Sequence, residues 1–309
     1  MEGTVLTPAQ RSEMEALVAR YTATSDIADG IKNTEQSSKF IDLMREQSIV
    51  PKIAQLYKME SNTRDINAIG LAPDQLRKKT EGIAPETWVD IAVSKNTLTG
   101  VMCIYPIAIT YESLLRNIEK QELEGTIDAQ SAKAVMNDIE KCAWVGDTSS
   151  GNAFLNINDG LIKIAKNGSG IHITDTEGST DQKAIFAKMI DDLPDKWLAD
   201  TAALRFFCST KDRRAYGRQI AARNDGLLYL LGKQPLQFED IDIVGCPGIP
   251  QGTYILTPAL NIAYGIELAM MVKRGEDIDR GIVKLNTFIS WDVNFAVYDM
   301  VDIAYDVTP

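Results

Sequence analysis

The sequence predicts an α+β protein whose N-terminal third depends on a partner surface. Residues 126–145 carry one amphipathic helical pattern, and the last third of the chain is dominated by strand-like alternation. Residues 1–110 contain a polar arm and a long hairpin pattern, with too few apolar residues for a core of their own. The chain has 309 residues, a length that suits about two domains.

Composition argues against several function classes. Asp and Glu number 43 against 32 Lys and Arg, a net charge of −11, whereas proteins that grip nucleic acid need clustered basic residues. The one histidine, His172, argues against most zinc sites and histidine-based triads. The cysteines, Cys103, Cys142, Cys208 and Cys246, are too far apart for metal or redox spacing, which favours a reducing compartment.

No segment predicts secretion or a membrane span. The chain begins without the basic and apolar regions of a signal peptide. The longest mainly apolar stretch, residues 101–109, is too short to cross a bilayer and contains Pro106. We therefore expect no membrane partner.

Residues 1–48 are expected to form an N-terminal arm, because residues 22–38 are rich in Thr, Ser, Asp and Asn. Residues 49–110 predict an extended hairpin loop. In its first strand Ile53, Tyr57 and Met59 share a face, and residues 101–109 alternate as its second strand around a polar tip. Such a hairpin buries little of itself, so we expect it to lie on a further surface.

The predicted helix over residues 126–145 has a stripe of six apolar residues, Ala132, Val135, Met136, Ile139, Cys142 and Ala143. A second helix is predicted over residues 181–193, before Pro194, and a third after Ser209, with Asp212 in a near capping box. Strands are predicted at residues 203–208, 241–244, 254–256, 266–273, 281–291 and 294–307.

The candidate catalytic groups have simpler structural explanations. His172 lies between two isoleucines without an evident nucleophile, which favours a hydrogen-bonded strand histidine over a general base. Asp191, Asp192 and Asp195 bunch around Pro194, which favours a solvated turn over a divalent-cation site or a glycosidase pair.

Three further segments also give no functional motif. Residues 226–233 have one residue too many for a phosphate loop, and residues 168–170 lack a glycine of the dinucleotide fingerprint and predict a hairpin turn. Glu276, Asp277 and Asp279 predict a polar turn between two strands. The sequence therefore predicts no catalytic, cofactor-binding or metal-binding residue, and no enzyme.

The order of these elements resembles that of tailed-bacteriophage major capsid proteins with the Hong Kong 97-type fold, over residues 45–309. Residues 143–147 and 158–161 resemble the end of that family's spine helix and the turn after it. Residues 186–194 and 204–209 resemble its helix-then-strand block. Residues 248–250, 256–261 and 264–265 resemble the passage into its terminal sheet.

The resemblance implies a division of the chain into four parts. These are an N-terminal arm (1–48), an extended hairpin loop (49–110), a peripheral domain with the spine helix (111–145 and 263–295), and an axial domain (146–262) that residues 296–309 rejoin. Because only residues 1–48 precede the hairpin, whereas many relatives carry a longer segment that a protease removes, we expect an uncleaved subunit that assembles with a separate scaffolding protein or with none.

The resemblance also implies a function. The chain would self-assemble into hexamers and pentamers of an icosahedral shell enclosing phage double-stranded DNA, formed in the bacterial host cytoplasm and retained in the virion. Its partners would be further copies of itself and, as in the family, scaffolding, portal and decoration proteins. Arg77, Lys78 and Lys79 at the hairpin tip would meet an acidic patch of the next subunit, with a solvated tip as the alternative. Spacing supports no lysine–asparagine cross-link of the kind some relatives form.

Two alternatives stay open at this point. An encapsulin-like bacterial compartment shell shares the fold, although the arm-like residues 22–38 favour a virus. A cytosolic α/β hydrolase or metal enzyme would use Asp191, Asp192 or His172, and substitutions there would abolish its activity.

Overall fold

The computed structural model describes residues 50–71, 91–110, 112, 123–176, 179, 181–221, 236–267 and 271–307. Arg77, Lys78, Lys79, residues 1–48 and residues 226–233 lie outside these ranges. The helices are α1 (Val50–Ile53), α2 (Leu123–Val145), α3 (Leu161–Asn167), α4 (Gln182–Asp192), α5 (Asp195–Leu198) and α6 (Thr210–Ala221). The strands are β1 (Gln55–Met59), β2 (Thr63–Leu71), β3 (Ile91–Thr99), β4 (Val101–Thr110), β5 (His172–Ile173), β6 (Leu204–Ser209), β7 (Gln237–Phe238), β8 (Ile241–Cys246), β9 (Tyr254–Pro258), β10 (Ile262–Glu267), β11 (Met271–Asp277), β12 (Ile282–Phe295) and β13 (Asp302–Ala304).

The described strands form two sheets and a two-stranded hairpin. The first sheet has the order β1-β10-β12-β11, and β4 also pairs with β12. The second sheet has the order β5-β13-β9-β6-β8-β7, and β2 pairs with β3 alone. Three pairs are parallel, β1 with β10, β5 with β13 and β6 with β8, so the fold mixes parallel and antiparallel ladders.

Helix α2 confirms the helix predicted over residues 126–145. All six residues of its predicted stripe are buried. The stripe shares a core with Ile289 and Trp291 of β12, so α2 covers one face of the first sheet. At the end of α2 the fully buried Trp144 lies 5.7 Å, between ring centroids, from Phe207 of β6. The same core therefore extends from the first sheet into the second.

Two other predicted helix starts are confirmed with their caps. The Asp181 carboxylate accepts a hydrogen bond from the Lys183 backbone N–H at the start of α4. The Ser209 hydroxyl accepts the backbone N–H of Asp212 at 3.3 Å at the start of α6. Around α4 a second apolar cluster forms, in which Phe186 contacts Phe206 at 4.5 Å between ring centroids. Both helices therefore begin at a residue whose side chain accepts a backbone N–H of the first turn.

The predicted pairing of the hairpin was wrong. Residues 101–109 do not face the strand that contains Tyr57: β4 pairs with β12 and β1 pairs with β10, while the hairpin consists of β2 and β3. The chain turns from β3 into β4 at Gly100, whose backbone approaches the Ser290 hydroxyl so closely that a Cβ would collide with it. Cys103 and Tyr105 of β4 thus pack against the main core instead of stabilising the hairpin.

The long C-terminal strand predicted over residues 294–307 was also wrong. Strand β12 ends at Phe295, a 3₁₀ turn spans Tyr298–Met300, and β13 belongs to the second sheet. Asn261 explains the break, because its backbone and side-chain oxygens accept the N–H groups of Ala296 and Val297, both at 2.8 Å. These bonds draw the chain out of the β10–β12 ladder.

Three smaller predictions need correction as well. The strand predicted over residues 266–273 is divided between β10 and β11, which pair with different parts of β12. Residues 168–170 form no hairpin turn; they connect α3 to β5. The acidic turn begins later than predicted, since Glu276 and Asp277 still belong to β11, where Asp277 forms a 2.8 Å ion pair with Lys284.

Gly252 provides a test of how the C-terminal segment docks. Its φ is +74°, its N–H donates to the Asp212 carboxylate at 3.0 Å, and an added Cβ would collide with the Val307 carbonyl. We expect Gly252→Ala to lower the free energy of unfolding by about 1–3 kcal/mol from backbone strain alone, with more from the collision. Gly151→Ala is the control, because its Cβ meets no atom within 4 Å. Equal midpoints for the two variants in chemical denaturation would contradict this packing.

Candidate assembly surface

The two faces of the first sheet have different neighbours. Ile289 and Trp291 of β12 point towards α2, and both are nearly inaccessible to solvent. Residues between and beyond them point to the opposite face because side chains alternate along a strand. On that opposite face the base of the β2–β3 hairpin packs at the β1–β10 end, where Ile66 and Leu98 join Met59 and Ala263 in a small core.

Polar contacts attach the hairpin to this face. The Asn96 side-chain amide donates to the backbone carbonyls of Phe295 at 3.0 Å and Ala296 at 2.9 Å. The Thr99 backbone N–H donates to the Asp292 carboxylate at 2.7 Å, and burial raises the pKa of Asp292 to about 6. The hairpin is therefore held at its base by contacts with one end of β12.

The remaining part of the opposite face is apolar and uncovered by any described residue. We call Met102, Ile104, Pro106 and Ala108 of β4 the outer row; all four are exposed. Met102 is 56% and Ile104 54% accessible, and Ile104 lies directly across from the half-buried Phe288 of β12. The alternate residues of β4, including Cys103 and Tyr105, pack against the main core. Both faces of β4 are thus apolar, and one of them faces solvent in the isolated chain.

A cavity of about 110 Å³ lies between α2 and the inner face of β4 and β12. Its lining is mostly apolar and includes Val135, Ile139, Phe154 and the thiols of Cys103 and Cys142. Burial raises the pKa of both thiols, so they are protonated and weakly nucleophilic near neutral pH. The cavity is therefore a packing space with little chemical reactivity.

The charged residues singled out from the sequence form no catalytic arrangement among the described residues. His172 Nε2 lies 3.4 Å from Asp299 Oδ1, and Asp299 also contacts Lys196 and the Trp197 indole N–H. Burial opposes the charge on Asp299, but the Lys196 and Trp197 donors lower its pKa overall. His172 therefore lies beside the Lys196–Asp299 ion pair, and its Nε2 forms no hydrogen bond with a described nucleophile.

The aspartates around Pro194 are not brought together as a metal site. Asp192, at the end of α4, accepts the Thr174 hydroxyl at 2.9 Å, while Asp191 and Asp195 are exposed. In the described ranges no group of three His, Cys, Asp or Glu side chains is arranged to hold a metal ion. Within those same ranges, no helix is both long and apolar enough to cross a membrane.

Two features of this surface were missed at the sequence level. The outer row has a signal in the sequence, since residues 101–109 are apolar at almost every position and not only at alternate ones. A strand of that kind has two apolar faces, and each is buried only when another element or another chain packs against it. The role of Asn96 has no comparable signal, because its carbonyl partners are about two hundred positions away along the chain.

Solved structures that share this arrangement include chains of phage and GTA capsids. No protein-family profile matches the chain. A chain of the satellite phage P4 procapsid, solved with its size-determination (Sid) protein, superposes with a TM-score of 0.71 over 98% of both chains at 12% identity. A chain from the capsid of an empty GTA particle gives a TM-score of 0.62 at 11% identity, over 98% of this chain and 100% of that one. The fold is that of the Hong Kong 97-type capsid proteins.

Sequence similarity narrows this class further. YqbE of Bacillus subtilis (strain 168), whose name describes it as a prophage capsid protein, is 30% identical over 211 residues, which span 68% of this chain and 67% of YqbE. The chain belongs to the phage major capsid protein family and is a structural shell subunit.

The hairpin anchor can be tested by removing the Asn96 donors. Asn96→Asp places a carboxylate against two carbonyl oxygens, so we expect the free energy of unfolding to fall by about 1–3 kcal/mol. Chemical denaturation of the full chain measures this loss. Thr97→Val is the matched control, because it removes only an exposed hydroxyl that donates to Asp65. The anchor is refuted if Asn96→Asp is as stable as Thr97→Val.

Proposed function

We propose that this chain forms the hexamers and pentamers of an icosahedral shell that encloses the double-stranded DNA of a phage. The shell assembles in the host cytoplasm and stays in the virion, and the subunit itself has no enzymatic activity. The observation that carries the proposal is the outer row, an apolar strand face for which the isolated chain has no described cover.

A second copy of the chain is the occupant that best suits the outer row. Met102 and Ile104 each expose more than half of their surface, and burying the exposed part of such a side chain stabilises a contact by about 1 kcal/mol. One such gain is small for a pair of subunits. In a closed shell every copy repeats it, so the contributions accumulate over the whole particle.

The proposed domains of the subunit correspond broadly to the two sheets. We assign residues 111–145 and 263–295 to a peripheral domain, and residues 146–262 with 296–309 to an axial domain. Two facts support this assignment: β12 and α2 pack together, and β13 pairs with β9 in the second sheet. Residues 1–48 serve as an arm, and the β2–β3 hairpin reaches to a neighbouring subunit.

Charge supports the same proposal. The chain has 43 acidic and 32 basic residues. The next copy therefore offers many acidic partners to Arg77, Lys78 and Lys79, which the proposal puts at the hairpin tip. The acidic surplus also disfavours tight adhesion of DNA, because a net negative wall repels phosphates. An acidic subunit can therefore enclose a genome without gripping it, while scaffolding, portal and decoration proteins supply any further contacts.

Ile104→Glu tests whether the outer row drives assembly. Because Ile104 is exposed in the subunit, the folded chain should tolerate glutamate, whereas a carboxylate buried between copies costs several kcal/mol. We expect the yield of shells to fall by about tenfold or more, with an unchanged circular dichroism spectrum. Sedimentation velocity separates shells from smaller species.

Ile104→Val is the matched control, since it keeps the position apolar and should assemble as the wild type does. Normal shell yield from Ile104→Glu would show that the outer row lies outside the contacts between copies. Equal loss in both variants would show that shape rather than apolar burial governs this position, which also contradicts the proposal.

A further inference from the structure

The Thr174 hydroxyl lies between two carboxylates that belong to different elements. Thr174 follows β5, and its Oγ1 is 2.7 Å from Asp302 Oδ2 on β13 and 2.9 Å from Asp192 Oδ2 at the end of α4. Both distances are those of hydrogen bonds between oxygen atoms. Three segments of the second half of the chain therefore meet at one hydroxyl group.

Proton counting shows that this arrangement needs an extra proton. A threonine hydroxyl carries one hydrogen, so it can donate to only one of the two carboxylates. In the second contact the hydrogen must come from the carboxyl group, because two acceptor oxygens without a hydrogen between them cannot form a hydrogen bond. One of the two acids must therefore be in its protonated form for both contacts to exist.

Burial identifies which acid holds the proton. Asp302 is 0% exposed and its Oδ1 has no hydrogen-bond partner, whereas Asp192 is exposed to solvent, which stabilises a charge there. The bonds therefore run from the Asp302 carboxylic acid to Thr174 Oγ1, and from the Thr174 hydroxyl to the Asp192 carboxylate. Burial, reinforced by the charge of Asp192, raises the pKa of Asp302 to about 6.

The other charged groups near Asp302 do not replace that proton. From β5, His172 lies beside the site and favours the charged form of Asp302, but its imidazole is engaged with Asp299 at 3.4 Å. Lys196 also contacts Asp299, and Lys166 of α3 lies over the Tyr305 ring, 4.0 Å from its centroid. Neither of these lysines nor His172 forms an ion pair with Asp302 among the described contacts.

We propose that the proton shared through Asp302, Thr174 and Asp192 is a pH-sensitive lock that holds β5 on β13. β5 has only two residues and lies at the edge of its sheet, attached through the backbone bonds from His172 N to Val301 O and from Thr174 N to Ile303 O. Loss of the proton leaves a buried charge that competes with Asp192 for one donor. Opening of β5 relieves this by admitting water to Asp302.

The sign of the pH dependence follows from the raised pKa. An acid that is harder to ionise in the closed state than in the open state favours closure at low pH. The lock is therefore strongest below the ordinary aspartate range, and weakens as pH rises through about 6. Between one unit below and one unit above that value, the opening equilibrium should rise by about tenfold. The lock is a property of the single subunit, whether or not the proposed shell forms.

Hydrogen–deuterium exchange of the full chain tests the lock. The probe is the peptide that contains the His172 and Thr174 amides, with rates corrected for the pH dependence of intrinsic exchange. We expect its protection to fall about tenfold across this pH window in the wild type. Asp302→Asn should abolish the fall, because the asparagine amide donates to Thr174 without a titratable proton.

Asp192→Asn gives a second test on an exposed residue, where the fold is not at risk. With an amide donor at position 192, the Thr174 hydroxyl is free to donate to an ionised Asp302, so the fall in protection should move to lower pH. Asp191→Asn is the matched control, since it removes the same charge from the same helix end, and it should leave the midpoint unchanged. Amide protection that stays constant across pH 6 in the wild type would overturn the lock. An equal shift of the midpoint pH in Asp192→Asn and Asp191→Asn would overturn it as well.

Discussion

Strand β12 is the element on which most of the subunit depends. It pairs with β10, β11 and β4, so a single strand of 14 residues holds the first sheet together. Its face towards α2 carries Ile289 and Trp291, which build the main core. Its other face supplies Asp292 for the hairpin and Phe288 for the surface beside the outer row. The alternation of side chains along one strand thus separates the folding core from the surface available for assembly.

The second sheet depends on the first through the end of α2. Trp144 is completely buried against Phe207, so its large ring joins the core of the first sheet to the second sheet. Beyond Phe295, Asn261 redirects the chain so that β13 enters the second sheet. The C-terminal segment therefore links the sheets a second time. A shell subunit gains from this arrangement, because forces between copies act on one connected core.

Sequence patterns predicted the parts of this structure that local interactions decide. The stripe of α2 and the cap at Ser209 depend on residues within a few positions of one another, and both were predicted correctly. The partners of β4 and the break after Phe295 were predicted wrongly, because strand pairing is decided by distant residues such as Asn261. The bridge between Thr174 and Asp302 was not predictable either, since 128 positions separate its members. The family, by contrast, was recognisable from the order of elements, to which many weak local signals contribute.

In the proposed shell, copies of this chain cover the outer row of one another. Cryo-electron microscopy of particles assembled from the full chain shows whether the outer row is covered. The predicted result is an icosahedral shell of hexamers and pentamers in which Met102 and Ile104 lie beneath a neighbouring subunit. A dispersed 34.1 kDa species, or a shell in which the outer row faces solvent, would contradict it.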